Sequence, residues 1–441
     1  MFTSRIRLWA GRAVAAVAIP AAALAALEGA ARLAPASRPT DSERALLWVA
    51  GRRPAFPCAP DGACRTAPGL ASLSVPDVRF RKRPAPGVFR AACVGDSTTA
   101  GWPYHPRGGY PQWLQAIMSA ALPGRRVEVL DLGVHAWDGA RLEDVFAEAL
   151  ALRPDAVLLR VGYDDYANYL LRRPRGGALA RALLRARLFL LRRSAAFRLL
   201  ARAFDPGPRR GLVGTAPVPL TPAETDRLVA EHRARLRRLA ARAKEAGVAL
   251  IVLGLPYRAD EAPGYAGLTA LARLRAATAD EARALGLPYV SLDELQGSRR
   301  FVDLMHSDET GYRLTAVDAA RALQADGLPR GARWRWDRVP PPKTLARALG
   351  LDDPAFRAHV DAELAGYDLQ RGLPERAAER MRAALREAPN PDFVPDELRE
   401  IDDPAAVALY RRVFAALRAT GEVPDPTIPD DRDLAGLPSP R

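Results

Sequence analysis

The sequence predicts an α/β fold, a three-layer α/β/α sandwich on a parallel sheet of roughly five strands, followed by a helical C-terminal extension. Three observations predict it. Short apolar runs of strand length recur from Phe89 onward, and the first three end at or run into a glycine. Longer helical stretches separate them, and such alternation puts parallel strands beneath helices on both faces. After Ala320 the chain leaves the sheet, and helical patterns take over.

Taken in order, residues 1–36 read as a signal peptide or membrane anchor. Arg5, Arg7 and Arg12 form a positive flank, Ala13 to Leu27 is apolar apart from a break at Pro20, and Glu28 closes the run. The run is nearer a signal-peptide core than the roughly 20 residues that span a bilayer, and Ala34-Pro35-Ala36 offers a cleavage site. Counting Leu8 and Trp9, with Arg12 snorkelling, an uncleaved anchor also fits. In both cases the flank stays cytoplasmic and the rest is exported.

Residues 37–86 are rich in Pro, Arg and Gly and read as a linker and N-terminal excursion. Cys58 and Cys64 bracket a short loop there. They are expected to form a local disulfide, which implies an oxidising compartment. Two free thiols or half a metal site is the alternative, but no second Cys or His pair completes a site, and no metal or other cofactor is expected. The third cysteine, Cys93, lies inside a strand pattern and reads as a small core residue.

The main domain is expected over 87–335. Its strands are expected at Phe89–Val94, Val127–Leu132, Asp155–Val161, Val248–Leu253 and Pro288–Leu292. Thr221-Pro222-Ala223-Glu224 has the pattern of a capping box with proline in the first turn, and its helix runs to Gly247. An insert over 170–211 holds many arginines and one acid, Asp205. Leu183, Leu184, Leu188, Leu191 and Phe197 can share a helical face, either of a solvated helix pair packed on the domain or of an interfacial helix on a membrane. Over 340–420, Ala365, Gly372, Ala377, Ala384 and Pro389 fall where a tetratricopeptide repeat places its small residues and terminal proline. A single such hairpin cannot bury its own face and should dock on neighbouring helices. It is also a candidate surface for a protein partner. The tail, 421–441, reads as disordered.

The chain has 441 residues, 49% of them apolar, enough for two or three domains or one enlarged domain with attachments. Its net charge of +14 is carried almost entirely by arginine. No zinc-finger spacing, aromatic-studded strand pair or basic region leading into heptads accompanies it, so no nucleic acid partner is expected. An anionic membrane surface or envelope polymer suits the charge as well.

Four short pieces carry the chemistry. Gly95-Asp96-Ser97-Thr98, Gly133 in Asp-Leu-Gly-Val, and Gly162-Tyr163-Asp164-Asp165 stand at successive strand exits, and Asp303-Leu-Met-His306 precedes the last helix. A serine just past a strand's carboxyl end sits where open α/β sheets bind ligands. A serine hydroxyl needs a neighbouring base, imidazole suits that role at neutral pH, and a carboxylate on its other nitrogen fixes the tautomer. Asp303 and His306, three apart at a helix entrance, can meet on one face. Of the other four histidines, His232 and His359 lie in helical patterns away from strand exits, and His105 and His135 follow the first two pieces. The serine lacks the Gly-x-Ser-x-Gly elbow, since Thr99 stands where the second glycine belongs.

The ordered set resembles the SGNH/GDSL hydrolase superfamily over roughly Phe89 to Leu323, and more narrowly its exported, esterase-like members. The resemblance implies Ser97 as nucleophile, His306 as general base and Asp303 as its orienting carboxylate, with Gly133, Asp164, Asp96 and Gly162 at the oxyanion and substrate-binding positions. One departure stands out. Asp164 replaces the asparagine whose amide donates to the oxyanion. An ionised Asp164 would repel that charge, whereas a protonated one could donate. The backbone amides of Ser97 and Gly133 could instead form the hole alone, or activity could be altered or lost. The resemblance therefore implies an exported hydrolase of small acyl esters, with acyl transfer to an envelope glycan, or a catalytically altered scaffold, as alternatives. The expected place is the bacterial cell envelope, periplasmic or outer face, with an acyl-ester, glycan or lipid substrate.

Overall fold

The computed structural model describes residues 21–34, 54–67, 70, 77–135, 137–173, 175, 177–204, 219–259, 267–370 and 373–387. An antiparallel pair, β1 (Ala63–Arg65) and β2 (Arg79–Arg81), precedes five parallel strands. These are β3 (Val88–Gly95), β4 (Arg126–Gly133), β5 (Ala156–Leu159), β6 (Ala249–Leu253) and β7 (Tyr289–Val290). Their order is β4-β3-β5-β6-β7. Strand β3 has β4 on one side and β5 on the other, so its exit is the topological switch point where such sheets bind ligands. The fifth strand is shorter than the expected Pro288–Leu292. Leu292 takes a left-handed φ of 57° and starts a helical turn, which ends the pairing.

The helices follow in chain order: α1 (21–33), α2 (Ser97–Ala100), α3 (Tyr110–Ala121), α4 (Gly139–Ala151), α5 (Tyr163–Arg172), α6 (Gly177–Arg193) and α7 (Ala195–Phe204). Then come α8 (Pro222–Glu245), α9 (Leu268–Ala284), α10 (Asp293–Gln296), α11 (Glu309–Ala325), α12 (Pro342–Ala348), α13 (Pro354–Gln370) and α14 (Pro374–Glu387). Helix α8 starts as expected: the Glu224 amide donates to Thr221 Oγ1 at 3.2 Å, and the Thr221 amide donates to Glu224 Oε2 at 2.8 Å.

Alternation along the strands builds two cores. Phe89, Ala91 and Cys93 face α3, α11 and the C-terminal helices, packing with Trp113, Ile117, Tyr312 and Leu323. Ala92 and Val94 face the other way, onto Phe146 of α4 and Leu236 and Leu239 of α8. Cys93 is a buried free thiol, as its strand position implied. Part of the N-terminal excursion joins the second core: Ala55, Phe56, Cys64, Ala67 and Leu70 are buried in it. The amides of Ala55 and Phe56 donate to the Glu148 carboxylate at 3.0 and 2.8 Å, and Cys58 and Cys64 form a disulfide.

Helix α1 is described from residue 21. The positive flank at Arg5, Arg7 and Arg12, and the end of the expected cleavage site at Pro35 and Ala36, lie outside the described residues. No described helix is long and apolar enough to cross a membrane. The Glu28 carboxylate accepts from Ser194 Oγ at 2.7 Å and from the Ala195 and Ala196 amides at 2.9 and 3.2 Å, which ties α1 to the start of α7. On α6, Leu184, Leu188 and Leu191 turn inward or partly inward, whereas Leu183 is exposed. The single face expected for these leucines is thus corrected: at 100° per residue, 184, 188 and 191 fall within a narrow stripe and 183 about a quarter-turn away. Asp205 and 206–211 of the insert lie outside the described residues.

The C-terminal helices share the first core. Leu345, Leu351, Phe356, Val360 and Leu364 cluster with Trp102, Tyr110, Phe301 and Tyr312. Arg107 holds them to the α2–α3 loop. Its Nη1 donates to Gly350 O at 3.0 Å and Asp353 Oδ2 at 2.8 Å, and its guanidinium lies 4.9 Å from the Phe356 ring centre. Ala365, Ala377 and Ala384 are buried. Gly372, Pro389, 391–420 and the tail 421–441 lie outside the described residues.

Candidate active site

Strand β3 ends at Gly95, and Asp96 caps the short helix α2. Its Oδ1 accepts from the Thr98 amide at 2.9 Å and the Thr98 hydroxyl at 2.7 Å. This turn puts Ser97 at the first helical position, directly beyond the sheet edge. The seat of α2 is Gly133 at the end of β4, where a Cβ would lie 2.1 Å from the Ala100 nitrogen, so only glycine admits the helix.

His306 is aimed by Asp303. Asp303 Oδ1 accepts from the amides of Met305 at 2.8 Å and His306 at 2.7 Å, and its Oδ2 lies 2.7 Å from His306 Nδ1. Ionised Asp303 can only accept, so the ring proton belongs on Nδ1 and the Nε2 lone pair faces outward. It faces Ser97, with Oγ to Nε2 at 2.7 Å. The two residues do not meet on a helix, as their spacing implied. Helix α11 starts later, at Glu309 with Asp308 as cap, and the pair is made by a tight turn in the preceding loop. Burial alone would raise the Asp303 carboxyl, but the His306 charge and the three hydrogen bonds from His306 and Met305 hold it below its ordinary range. Ser97 and Asp303 are buried, and the His306 side chain keeps 13% exposure. The Trp102 ring packs edge-on against His306 with centroids 4.7 Å apart, and Tyr312 Oη donates to Trp102 O at 2.6 Å.

The remaining predicted site residues divide. Gly133 is at the site, but its amide donates to Asp131 Oδ1 at 3.0 Å. The alternative in which this amide serves an oxyanion therefore has it already engaged by a buried side chain. Gly162, with φ of 143°, makes the turn into α5, a conformation glycine adopts readily. Asp165 is a structural acid, accepting from the Gly139 amide at 3.0 Å and Arg235 Nη1 at 2.8 Å, with His232 Nδ1 at 3.3 Å. His232 pairs through Nε2 with Thr278 Oγ1 at 2.8 Å.

Asp164 Oδ2 is closed to solvent and has no hydrogen-bond partner. Burial first, then the charges of Asp96, Asp138 and Asp165, push its pKa well above the usual carboxylate range. Asp96 Oδ2 is also without a partner, and burial raises its pKa against the pull of the two Thr98 bonds. A buried Asp96 beside the enclosed Asp164 Oδ2 favours a protonated carboxyl, which can donate a hydrogen bond.

Sequence reasoning missed the contribution of α13. The sequence puts His359 away from strand exits, yet its helix packs on the loop after α2, and its ring lies 6.1 Å from that of His105. Glu363 is fully buried, and the Tyr367 ring lies 5.3 Å from Trp102. The spacing of 359, 363 and 367 marks one helical face, a signal present in the sequence. Nothing local says what that face meets.

Residues 93–314 match the GDSL-like lipase/acylhydrolase family. The match runs from inside β3 into α11, so it includes Ser97, Asp303 and His306 and ends before α12–α14. No curated protein matches significantly. Similar solved structures include a lipase/acylhydrolase from Enterococcus faecalis, 16% identical, covering 54% of this chain and 96% of that one at a TM-score of 0.36. Another is an acetylxylan esterase from Geobacillus stearothermophilus, 15% identical, covering 56% of this chain and 95% of that one at a TM-score of 0.34.

Proposed function

This chain belongs to the GDSL-like lipase/acylhydrolase family, and from that premise we propose that it is a serine ester hydrolase of the cell envelope, cleaving a small acyl group such as acetate through an acyl-enzyme. The observation that carries this reading is the chain of two 2.7 Å contacts from Ser97 Oγ through His306 to Asp303. His306 Nε2 takes the Ser97 proton as Oγ attacks the ester carbonyl. Asp303 holds the ring tautomer and stabilises the imidazolium. The proton then passes to the leaving alkoxide, and water, deprotonated by the same imidazole, releases the acyl group. The Ser97 amide and a protonated Asp164 are the proposed oxyanion donors, since the Gly133 amide is already engaged.

Two features support an envelope location. The Cys58–Cys64 disulfide suits an oxidising compartment. Among the described residues, the exposed large apolar side chains other than Leu285 lie on α1, α6 and α7: Leu24, Leu27, Leu33, Leu179, Leu183, Phe189, Leu190 and Leu200. Exposed arginines at 185, 187, 192 and 193 accompany them on α6, the composition of a helix that rests on an anionic membrane surface.

The test is labelling with a fluorophosphonate, together with hydrolysis of p-nitrophenyl acetate. Adduct on Ser97 and turnover that disappears in Ser97→Ala are expected. A protein that neither labels nor turns over any of a broad ester panel refutes the hydrolase reading.

A further inference from the structure

Helix α13 carries His359, Glu363 and Tyr367 at four-residue intervals, so the three share one face. That face is turned to the site. The Tyr367 ring lies 5.3 Å from Trp102, which lies 4.7 Å from the His306 ring. The His359 ring lies 6.1 Å from His105, whose ring lies 5.5 Å from His135. Glu363 is fully buried and acts electrostatically on His105. His105 comes from the loop after α2 and His135 from the exit of β4, so three separate segments supply the cluster.

His105 is 5% exposed, and its Nδ1 has no hydrogen-bond partner; His135 Nε2 is likewise closed off and unpartnered. Buried ring nitrogens left unpaired are costly, and two in one cluster point to a ligand. The ligand's chemistry follows from the charge state. Burial first, then neighbouring imidazoles, holds His105 at about 4 and His135 well below the ordinary histidine range, so both rings are neutral near pH 7. A neutral imidazole offers one donor and one acceptor. An alcohol matches that pair, since a hydroxyl both donates and accepts. An anion would meet buried Glu363, and an alkyl chain would leave the ring nitrogens unpaired. No described group of His, Cys, Asp and Glu converges on a metal position.

We propose that α13 completes the substrate site, and that His105, His135, His359 and Glu363 form a subsite for the hydroxyl-bearing alcohol half of the ester, a polyol or sugar ring that carries the acyl group. The inference rests on the ester-hydrolase reading above and deepens it. Two of its four residues, His359 and Glu363, lie outside the family match, because α13 begins at Pro354 and the match ends at 314.

The test compares kcat/KM for a monoacetylated glucose with that for p-nitrophenyl acetate, which has no hydroxyl. In His359→Ala and Glu363→Gln the sugar-to-nitrophenyl ratio is expected to fall about tenfold or more, and His359→Gln is expected to recover part of it. A ratio unmoved in all three variants overturns the subsite. A readout without turnover separates the two readings: saturation-transfer NMR of monoacetylglucose on the Ser97→Ala protein. Signal that is lost on adding Glu363→Gln supports the subsite. A wild type inert on both esters whose Ser97→Ala form still binds the sugar refutes the hydrolysis and leaves the subsite standing. Hydrolysis of p-nitrophenyl acetate without sugar binding refutes the subsite and leaves the hydrolase standing.

Discussion

The backbone amide of Gly133 donates to Asp131 Oδ1 at 3.0 Å, so the glycine that seats α2 is held by a buried carboxyl. Asp131 Oδ2 accepts from Gln112 Nε2 at 2.9 Å, and burial pushes the group's pKa up to about 6. The folded chain then binds this proton more tightly than the unfolded chain. Stability associated with Asp131 is greatest below about pH 4 and is lost as pH rises to about 6. Asp131→Asn keeps an acceptor for Gly133, and Gln112 Oε1, now without a partner, can turn to accept from the new amide. The variant is expected to be more stable than wild type above pH 6 by roughly 2–3 kcal/mol. Melting temperatures at pH 4 and pH 8 check this. A variant that melts below wild type at pH 8 contradicts it.

Asp303 makes one contact to the His306 ring and two to the backbone, at the amides of Met305 and His306. Asp303→Asn can keep the turn if its amide oxygen takes the backbone bonds, but it then presents an NH₂ to His306 Nδ1 and forces the wrong tautomer. A fall in kcat of roughly 10⁴-fold is expected with little change in KM. Steady-state kinetics on p-nitrophenyl acetate read it, and activity within a few-fold of wild type argues that His306 is not the base.

In the proposed oxyanion role, Asp164 would donate only while protonated. Its raised pKa keeps the proton through more of the pH range than a free carboxyl would, and activity falls as pH rises past that value. Asp164→Asn supplies a donor that needs no proton. It is expected to extend activity to higher pH, with a gain of up to ~3 kcal/mol where that donor is limiting. The comparison is between the two pH–rate profiles against a Ser97→Ala blank. Superimposable profiles mean that the side chain stands outside the hole.

Glu28 joins α1 to the body of the protein through Ser194, Ala195 and Ala196. The amide of Ala195, then the Ser194 hydroxyl and Arg32, lower its pKa to about 2. The contribution is fully present above about pH 4.5 and is lost as pH falls towards 2. With α1 docked in this way, the purified protein is expected to retain residues 21–33, which intact-mass analysis reads. Glu28→Gln should lower the melting temperature at pH 7 and converge with wild type only as pH falls to about 2. A mature chain beginning after Ala36 rules out the docked helix as part of the working protein.

What the sequence determined by itself is local. Periodicity and terminal glycines mark the strands around Phe89–Val94 and Val127–Leu132, Thr221 and Glu224 mark a helix start, and Cys58 and Cys64 are close enough in the chain to pair. Each of those signals lies within a few residues of what it specifies, because caps, turns and side-chain alternation are short-range. Ser97, Asp303 and His306 were legible too, through the order of their motifs. Only the tertiary structure decided the rest. Whether the Gly133 amide is free depends on where the Asp131 side chain turns, and the charge of Asp164 depends on burial beside Asp96. The facing of α13 depends on its packing against the loop that carries Trp102 and His105, far away in the chain. Burial and long-range contact set those outcomes, and neither is written in the pattern of neighbouring residues.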